Sequence, residues 1–354
     1  MSGRIIRSTA PVRIADNGGW TDTWFARHGR VLNIAVTPGV DVTLEPVSRD
    51  LADATVTLRL RHPDLEYAYE PRSGVGGHNR LLEAAIDLMG IPDAVAVRVD
   101  IASEVPSGAS TGTSASVTVA LLAALARLHG RTPTSMEVAM AAHHVEMNIL
   151  GWQCGVQDQL AAAFGGINYI SIDKFPAATV EQLALRPALL HQLEERLVLV
   201  FLGASHQSAE VHRMVIEELE HEGETSPRLE VLRRCATEAR DALLAGDLDA
   251  FGRSLSCNTE AQARLHPALV GDAAQRVIET AAAHGASGWK VNGAGGDGGS
   301  VTILRGSDAR GDRRLLEAIT GAVPAATAIP VTLSPHGVRT MVLPSRDGAP
   351  GSPW

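Results

Sequence analysis

Residues 106–116 form a run of small, uncharged residues, "PSGASTGTSAS", directly before the apolar stretch "VTVALLAALARLHG". Backbone N–H groups at a helix N-terminus lack intrahelical partners and carry a partial positive charge, so they can bind a phosphate without a side-chain cation. Glycine and alanine let an anion approach the backbone, and a hydroxyl can ligate Mg²⁺. The run therefore predicts a phosphate-binding helix start, although a buried, well-capped helix explains its composition equally well.

Two acids follow this run, Glu146 and Asp158, in the segment "VEMNILGWQCGVQDQLAAAFGG". Glu146 is expected near the end of a helix, where the helix dipole disfavours a negative charge unless a cation lies close by. Asp158 is expected at the start of the next helix, where an acid is also an ordinary capping residue. A phosphate-binding helix start, a hydroxyl and two carboxylates are the groups that phosphoryl transfer needs, because that reaction depends on positioning and charge neutralisation.

Other sites that the sequence suggests are weaker. The run lacks the glycine spacing and the lysine of a P-loop, because Gly108 and Gly112 are separated by three residues and Thr113 stands in the lysine position. The segment "GAGGDG" formally fits a dinucleotide fingerprint, but a strand follows it instead of a helix, so we predict a glycine-rich hairpin turn. The adjacent His143 and His144 face different sides of a helix and do not predict a transition-metal site.

The composition sets limits on the class of protein. The chain has 354 residues, 45% hydrophobic and 20% charged, with a formal net charge of −9, which predicts two globular domains and argues against nucleic-acid binding. Its three cysteines are dispersed, and its N-terminus lacks the apolar core of a signal peptide. No run of 18 apolar residues occurs. We therefore predict a cytoplasmic protein that does not bind membranes.

The elements that must position these residues change character along the chain. Strand-like stretches such as "RIIRST", "RVLNIAV" and "AVAVRVDI" dominate the first third, whereas long amphipathic helices follow from Glu181. The spacing of Thr134 and Glu137 predicts a capping box, and Ser226 before Pro227 predicts a helix start. This pattern is typical of an α+β protein. We predict an N-terminal domain over residues 1–180, a C-terminal domain over 181–345 and a flexible tail over 346–354.

Four segments resemble motifs of the GHMP small-molecule kinases, in the family's order. "PVRIADNGGWTDT" is similar to the first motif of the fucokinase and heptose-phosphate-kinase branch, and "VPSGASTGTSA" to the nucleotide motif. "VNGAGGDGG" is similar to the third motif, and "ILGWQCGVQDQLAAAFGGINYI" to the segment with the catalytic acid of the sugar-kinase branch. The resemblance implies a two-domain α+β GHMP kinase fold, with a ribosomal-protein-like first domain, a ferredoxin-like second domain and ATP between them.

The resemblance also implies roles for individual residues. Asp158 falls on the carboxylate that accepts or orients the proton of the sugar hydroxyl, and Arg13 lies beside it and the transferred phosphate. Ser114 and Glu146 fall on the Mg²⁺ ligands. The implied nucleotide site comprises Pro106, Ser107, Gly108, Ala109, Ser110, Thr111, Gly112, Thr113, Ser114, Gly293, Gly295 and Gly296. The implied substrate site comprises Gly19, Trp20, Thr21, Asp22 and Asp158.

These implications predict an ATP- and Mg²⁺-dependent kinase that phosphorylates the anomeric hydroxyl of a free sugar or a sugar phosphate; a homodimer is left open. For a phosphorylated sugar, Arg72, Arg80 or His206 could supply a basic subsite. Ser110 stands where the family usually has glycine, so a backbone with positive φ there would be strained, and Asp297 adds an unexpected negative charge to the third motif. The alternatives are a sugar-binding regulator without catalytic activity and a kinase for a non-sugar alcohol.

Overall fold

The computed structural model describes residues 4–61, 64–71, 77–204, 208–296, 298–307 and 312–344. The strands are β1 Arg4–Asn17, β2 Gly29–Ser48, β3 Val56–Arg61, β4 Asp64–Tyr69, β5 Val95–Ser103, β6 Ile167–Lys174, β7 Ala177–Gln182, β8 Leu197–Phe201, β9 Ala286–Val291, β10 Ser300–Arg305, β11 Thr327–Ile329, β12 Thr332–Leu333 and β13 Arg339–Pro344. The helices are α1 Arg80–Met89, α2 Thr113–Leu128, α3 Ser135–His144, α4 Gln157–Phe164, α5 Pro187–Arg196, α6 Ser208–Leu219, α7 Pro227–Ala245, α8 Leu248–Leu265, α9 Asp272–Ala283 and α10 Asp312–Ala322.

Two sheets organise the described chain. The larger sheet has the central order β13-β1-β2-β5-β3-β4, and β6, β7 and β12 extend it through β2. The smaller sheet has the order β11-β8-β10-β9. Helices and strands are therefore mixed in the α+β manner expected. β12 and β13 bring the end of the described chain back to the sheet that begins it, and the boundary near residue 180 stays a prediction.

Helix α2 is the structural centre of the first half. It packs on β1 and β2 from one side and on α1, α3 and α4 from the other, so it is enclosed by protein around most of its circumference. This explains its nearly continuous apolar sequence, since a helix that is hydrophobic on all sides is stable only when it is buried. It begins at Thr113, as predicted, after Gly112 in the left-handed conformation at φ 72°.

Several local predictions are confirmed. Thr134 and Glu137 form the reciprocal hydrogen bonds of a capping box at the start of α3. Ser226 precedes Pro227 at the start of α7, although the Ser226 side chain makes no capping bond. The glycine-rich segment joins the antiparallel strands β9 and β10, so it is the hairpin turn predicted for it.

One apolar core joins the two halves of the chain. It combines Val12 and Ile14 of β1 with Leu199 of β8 and Phe251 of α8, all at most 1% exposed. Helices α7 and α8 pack on each other and reach both sheets. The turn between β9 and β10 is therefore held rigidly against β1. Within the described ranges, no helix combines the length and apolar character needed to cross a lipid bilayer.

Candidate active site

A cavity lies where the N-termini of α2 and α4 meet the loop after β1 and the β9–β10 turn. Polar residues line one part of it, among them Asp22, Ser114, Glu146 and Asp158. Aromatic and aliphatic residues line another part, namely Trp20, Trp24, Phe25 and Ile216. The predicted catalytic and metal residues and, apart from Thr21, the predicted substrate residues thus line one cavity.

The loop before α2 repeatedly adopts positive φ, at Gly108 (78°), Ser110 (57°) and Gly112 (72°). Ser110 therefore has the positive φ that would make a non-glycine residue strained there, and such a conformation costs on the order of 1–3 kcal/mol when the surroundings impose it. Neighbouring segments do impose it. Arg13 donates from its backbone N to Thr111 O at 2.9 Å and from Nη1 to Ser110 O at 2.5 Å.

Asp158 and Arg13 form the central ion pair of the site. Arg13 Nε lies 2.8 Å from Asp158 Oδ1 and Nη2 lies 3.2 Å from Oδ2, which is a bidentate arrangement. The Arg13 side chain is 5% exposed and that of Asp158 is 30% exposed, so the carboxylate reaches the cavity while the guanidinium is buried. Burial alone lowers the pKa of Arg13, but the charges of Asp158 and Asp16 outweigh it and the net direction is upward.

Asp158 also lies directly against the start of α2. A Cβ added to Gly112 would be 3.1 Å from Asp158 Cγ, so only a glycine leaves the carboxylate at this distance without crowding. Val156 occupies the N-cap position of α4, and no side chain makes a capping hydrogen bond to that helix. Asp158 is therefore not a helix cap. It is instead placed between a helix N-terminus and an arginine, where a phosphate and a hydroxyl can both be approached.

Glu146 lies in a π-helical turn, Val145–Ile149, that ends the α3 segment. π-turns are rare in proteins as a whole but common at functional sites, because they redirect one side chain relative to a regular helix. Burial, with a further contribution from the Asp158 charge, raises the pKa of Glu146 to about 7, against the hydrogen bond from Gln159. A buried carboxylate next to a second carboxylate is an environment that a cation would stabilise.

Ser114 and Glu146 fit the Mg²⁺ ion that the family implies, because a hydroxyl and a carboxylate are hard oxygen ligands. Both residues line the cavity. The described residues hold no cluster of three or more acidic, histidine or cysteine side chains for a metal. Mg²⁺ commonly takes only one or two protein ligands and completes its shell with water and substrate phosphates, so two are sufficient. His143 is instead a core residue that packs edge-on against Phe175.

Asp22 is the buried acid of the predicted substrate site, 2% exposed. Its Oδ2 accepts a hydrogen bond from Gln157 N at 3.0 Å. Burial raises its pKa to about 6, and the Asp158 charge adds to this. Gly155 crosses in front of the carboxylate, where an added Cβ would lie only 2.0 Å from Asp22 Oδ2. The close approach of this backbone fixes the Asp22 side chain.

The other predicted substrate residues divide between lining and support. Gly19 and Trp20 line the cavity, with Trp20 at φ 77° and 8% exposed. Thr21 turns away from it, because its hydroxyl donates to Gly18 O and accepts from Arg30 N. Thr21 thus holds the substrate loop in shape instead of contacting a ligand in the cavity.

The glycines of the third motif fall into two groups, one that lines the cavity and one that packs against Leu269. Gly293 lines the cavity, and an added Cβ there would lie 3.1 Å from Ser110 O and 3.3 Å from Arg13 Nη2. Gly295 and Gly296 pack against Leu269, since a Cβ on Gly295 would lie 1.9 Å from Leu269 O and Gly296 N donates to the same oxygen. Among the nucleotide residues predicted, Ser114 and Gly293 line this cavity. Residues 106–112 form the loop before α2, and Thr113 is the first residue of that helix.

Some predicted residues lie elsewhere. Arg80 is exposed at the start of α1 and is not among the residues that line the cavity. Arg72, His206 and Asp297 lie outside the described residues.

Sequence reasoning missed four residues that organise the site. Asp16 accepts from Gly293 N at 3.0 Å, and Lys290 pairs with Asp16. Ser300 Oγ donates to Ala109 O at 2.6 Å, which ties the third motif to the loop before α2. Gly155 makes the close approach to Asp22. Asp16 and Lys290 could have been noticed as charged residues inside apolar strands next to two of the motifs.

Comparison with known proteins leads to the same family that the four sequence motifs resemble. Residues 79–166 match the family model described as GHMP kinases N terminal domain. These residues are therefore a GHMP kinase N-terminal domain, and the chain as a whole is similar to kinases of this family. Over 308 residues it is 24% identical to D-glycero-alpha-D-manno-heptose 7-phosphate kinase of Campylobacter jejuni, covering 83% of this chain and 88% of that protein. Over 316 residues it is 25% identical to a bifunctional fucokinase/GDP-fucose pyrophosphorylase of Arabidopsis thaliana, covering 84% of this chain. It spans only 30% of that longer enzyme.

A solved structure has the same fold as this chain. The crystal structure of a D-glycero-D-manno-heptose 1-phosphate kinase from Bacteriodes thetaiotaomicron superposes with a TM-score of 0.72 at 20% identity. The superposition covers 95% of this chain and 98% of that one. At this identity the likeness concerns the fold, which is the two-domain α+β GHMP kinase fold.

Proposed function

We propose that this protein transfers the γ-phosphate of ATP to the anomeric hydroxyl of a sugar, with Asp158 as the catalytic carboxylate. The observation that carries the proposal is the position of Asp158. Its carboxylate abuts Gly112 at the start of α2, where phosphates bind, and it is also held by Arg13. A hydroxyl in the cavity can therefore meet both the carboxylate and the terminal phosphate of a nucleotide.

Each group has a distinct task in this mechanism. The start of α2 binds the phosphates through backbone N–H groups. Asp158 accepts or orients the proton of the attacking hydroxyl, and Arg13 holds Asp158 and offsets negative charge that develops on the transferred group. Ser114 and Glu146 would hold Mg²⁺, which supplies charge neutralisation on the nucleotide phosphates when it is bound.

We further propose that the acceptor is an uncharged sugar. Among the described residues that line the cavity, Arg13 is the one basic side chain, and Asp158 already pairs with it. Asp22 also lines the cavity and is suited to hydroxyl groups, because carboxylates accept strong hydrogen bonds. Trp20 and Trp24 offer flat apolar surfaces for the C–H face of a sugar ring. Among the described lining residues, a second phosphate on the acceptor would meet carboxylates and no cation other than Arg13.

The test is ADP release with Mg²⁺–ATP across a panel of free hexoses, 6-deoxyhexoses, heptoses and their phosphates. The position of the new phosphate is then read by phosphorus NMR. We expect turnover with a free sugar and a C1-phosphate product. Turnover only with phosphorylated sugars contradicts the uncharged acceptor, and binding without turnover for every sugar favours a regulator.

Asp158→Asn tests the catalytic role within the same assay. The amide cannot accept the proton but keeps the shape of the side chain, so we expect kcat to fall by about 10²–10⁴ while ATP binding is retained. Asp173→Asn is the control, because Asp173 is 84% exposed and pairs only with Arg30 at the surface. Near-normal turnover in Asp158→Asn would refute the role.

A further inference from the structure

Behind the cavity, four residues form a closed ring of polar contacts. Lys290 Nζ donates to Gln262 Oε1 at 2.7 Å, and Gln262 Nε2 donates to Gly293 O at 2.9 Å. Gly293 N donates to Asp16 Oδ2 at 3.0 Å, and Asp16 Oδ1 lies 3.5 Å from Lys290 Nζ. The side chains of Lys290 and Asp16 are 1% and 2% exposed. The N–H of Gly293 is thus held by the buried Asp16–Lys290 ion pair, and its carbonyl oxygen is held by the Gln262 amide.

The contacts of Lys290 require its ammonium form. Three oxygens surround Nζ, those of Gln262, Asp16 and the Val291 carbonyl. An ammonium has three N–H donors for three acceptors, whereas a neutral amine has two donors and a lone pair that would face an oxygen. Burial lowers the pKa of Lys290, and the Asp16 charge opposes this effect. The contacts therefore place an ammonium group at the centre of three oxygens in the ring.

Asp16 lies between two cations. Its Oδ1 is 3.5 Å from Lys290 Nζ and 3.9 Å from Arg13 Nη1. Arg13 makes its close contacts elsewhere, from Nε to Asp158 at 2.8 Å and from Nη1 to Ser110 O at 2.5 Å. A buried carboxylate that loses its partner is strongly destabilised, so it attracts the next available cation. Without Lys290, the Arg13 guanidinium would need to move only about 1 Å to reach hydrogen-bond distance of Asp16.

We propose that Lys290 is a positioning residue for phosphoryl transfer: by neutralising Asp16 it leaves Arg13 paired with Asp158 and facing the transferred group. This inference rests on the proposed function of Arg13 and Asp158. It gives a functional reason for burying a lysine in β9, where an apolar side chain would satisfy the fold with less desolvation. Lys290 contacts neither nucleotide nor acceptor in this account and acts through Asp16 and Arg13.

The first variant is Lys290→Met, which keeps the length of the side chain and removes the charge. We expect kcat per folded molecule to fall by about 10²-fold, since a displacement of about 1 Å in a positioning group can have that effect. The KM for ATP should change by less than about threefold, because backbone N–H groups bind the phosphates. Lys174→Met is the control, since Lys174 is the only other lysine of the sequence and is exposed.

The second variant is the double substitution Asp16→Asn with Lys290→Met. The amide oxygen introduced at position 16 still accepts from Gly293 N, and Arg13 has no second carboxylate to turn to. We therefore expect kcat to return to within about tenfold of the wild-type value, the opposite of what accumulated structural damage produces. If Lys290→Met yields no folded protein, the double variant decides alone, because it buries no unpaired charge.

The outcomes separate this inference from the proposed function. The inference is overturned if kcat per folded Lys290→Met molecule stays within about threefold of wild type, or if the double variant remains more than about tenfold below wild type. If the wild-type protein itself phosphorylates no sugar, the proposed function fails. A crystal structure of Lys290→Met then still tests the geometry: Arg13 turned to Asp16 supports the positioning role, and Arg13 unmoved overturns it.

Discussion

Asp22→Asn tests whether this site is built at the expense of stability. The Asp22 carboxyl has its pKa raised from 3.8 to about 6, first by burial and then by the charge of Asp158. A difference of about 2 pKa units between the folded and unfolded states corresponds to roughly 3 kcal/mol. Because the shift is upward, the folded state favours the protonated acid and carries a cost when the acid ionises.

The sign of the pH dependence follows from this. Well below pH 3.8 the carboxyl is neutral in both states and costs nothing, and at pH 4 only a small part of the cost is present. As the pH rises to about 6, the unfolded chain loses its proton first, and stability falls. Above that range the full cost remains. The substitution Asp22→Asn removes the charge and still offers an amide oxygen to Gln157 N, so at pH 7.5 we expect the variant to be more stable by about 1–3 kcal/mol.

The assay is urea unfolding followed by circular dichroism at pH 7.5 and at pH 4, with Asp93→Asn as an exposed control. The stability gain of Asp22→Asn should be present at pH 7.5 and reduced to a small fraction of that at pH 4. In the same variant, kcat/KM for the sugar should fall by about 10- to 100-fold, because charge-assisted hydrogen bonds to hydroxyls contribute about 1.5–3 kcal/mol. A variant no more stable than wild type at pH 7.5, or equally stabilised at both pH values, would falsify the reasoning.

Three further substitutions probe single contacts. Gly155→Ala forces a Cβ onto Asp22, 2.0 Å away. Steady-state kinetics should therefore show a KM for the sugar raised by about tenfold or more, with the KM for ATP little changed. Gly321→Ala, where nothing lies within 4 Å of an added Cβ, is the control, and unchanged sugar binding in Gly155→Ala contradicts the account. Gly112→Ala strains a residue at φ 72° and crowds Asp158. Thermal unfolding should show a loss of about 1–2 kcal/mol in the free energy of unfolding, and steady-state kinetics should show a lower kcat. A fully active variant would contradict this expectation. Thr134→Ala removes the capping box of α3 and should cost about 1 kcal/mol in urea unfolding with kcat unchanged; a loss of kcat would show that α3 is coupled to the site.

Local signals in the sequence were sufficient wherever chain neighbours decide the structure. The helix start at Thr113, the capping box at Thr134 and the hairpin between β9 and β10 depend on backbone geometry within a few residues. The four motifs in order also indicated the family and its fold, which the match over residues 79–166 and the solved relative support. These features need no knowledge of distant contacts.

The pairing of Arg13 with Asp158 was expected from the resemblance alone, since 145 residues separate the two in sequence. Composition and spacing could not have placed them together, because either residue by itself fits an ordinary strand or helix start. The orientation of Thr21 away from the cavity, and that of Gly295 and Gly296 toward Leu269, could not be derived either. Side-chain direction in an irregular loop depends on which neighbours pack against it.

The sequence by itself predicted single local features, such as the helix start before α2, the capping box at Thr134 and the β9–β10 turn, and it indicated that the chain resembles a kinase. Only the tertiary structure decided that Asp16, Gln262 and Lys290 form one buried ring behind Arg13. These residues come from β1, α8 and β9, and no local pattern relates them. The physical reason is that helical and turn preferences act over a few residues, whereas the cost of burying a charge is set by whatever the fold brings within a few ångströms of it.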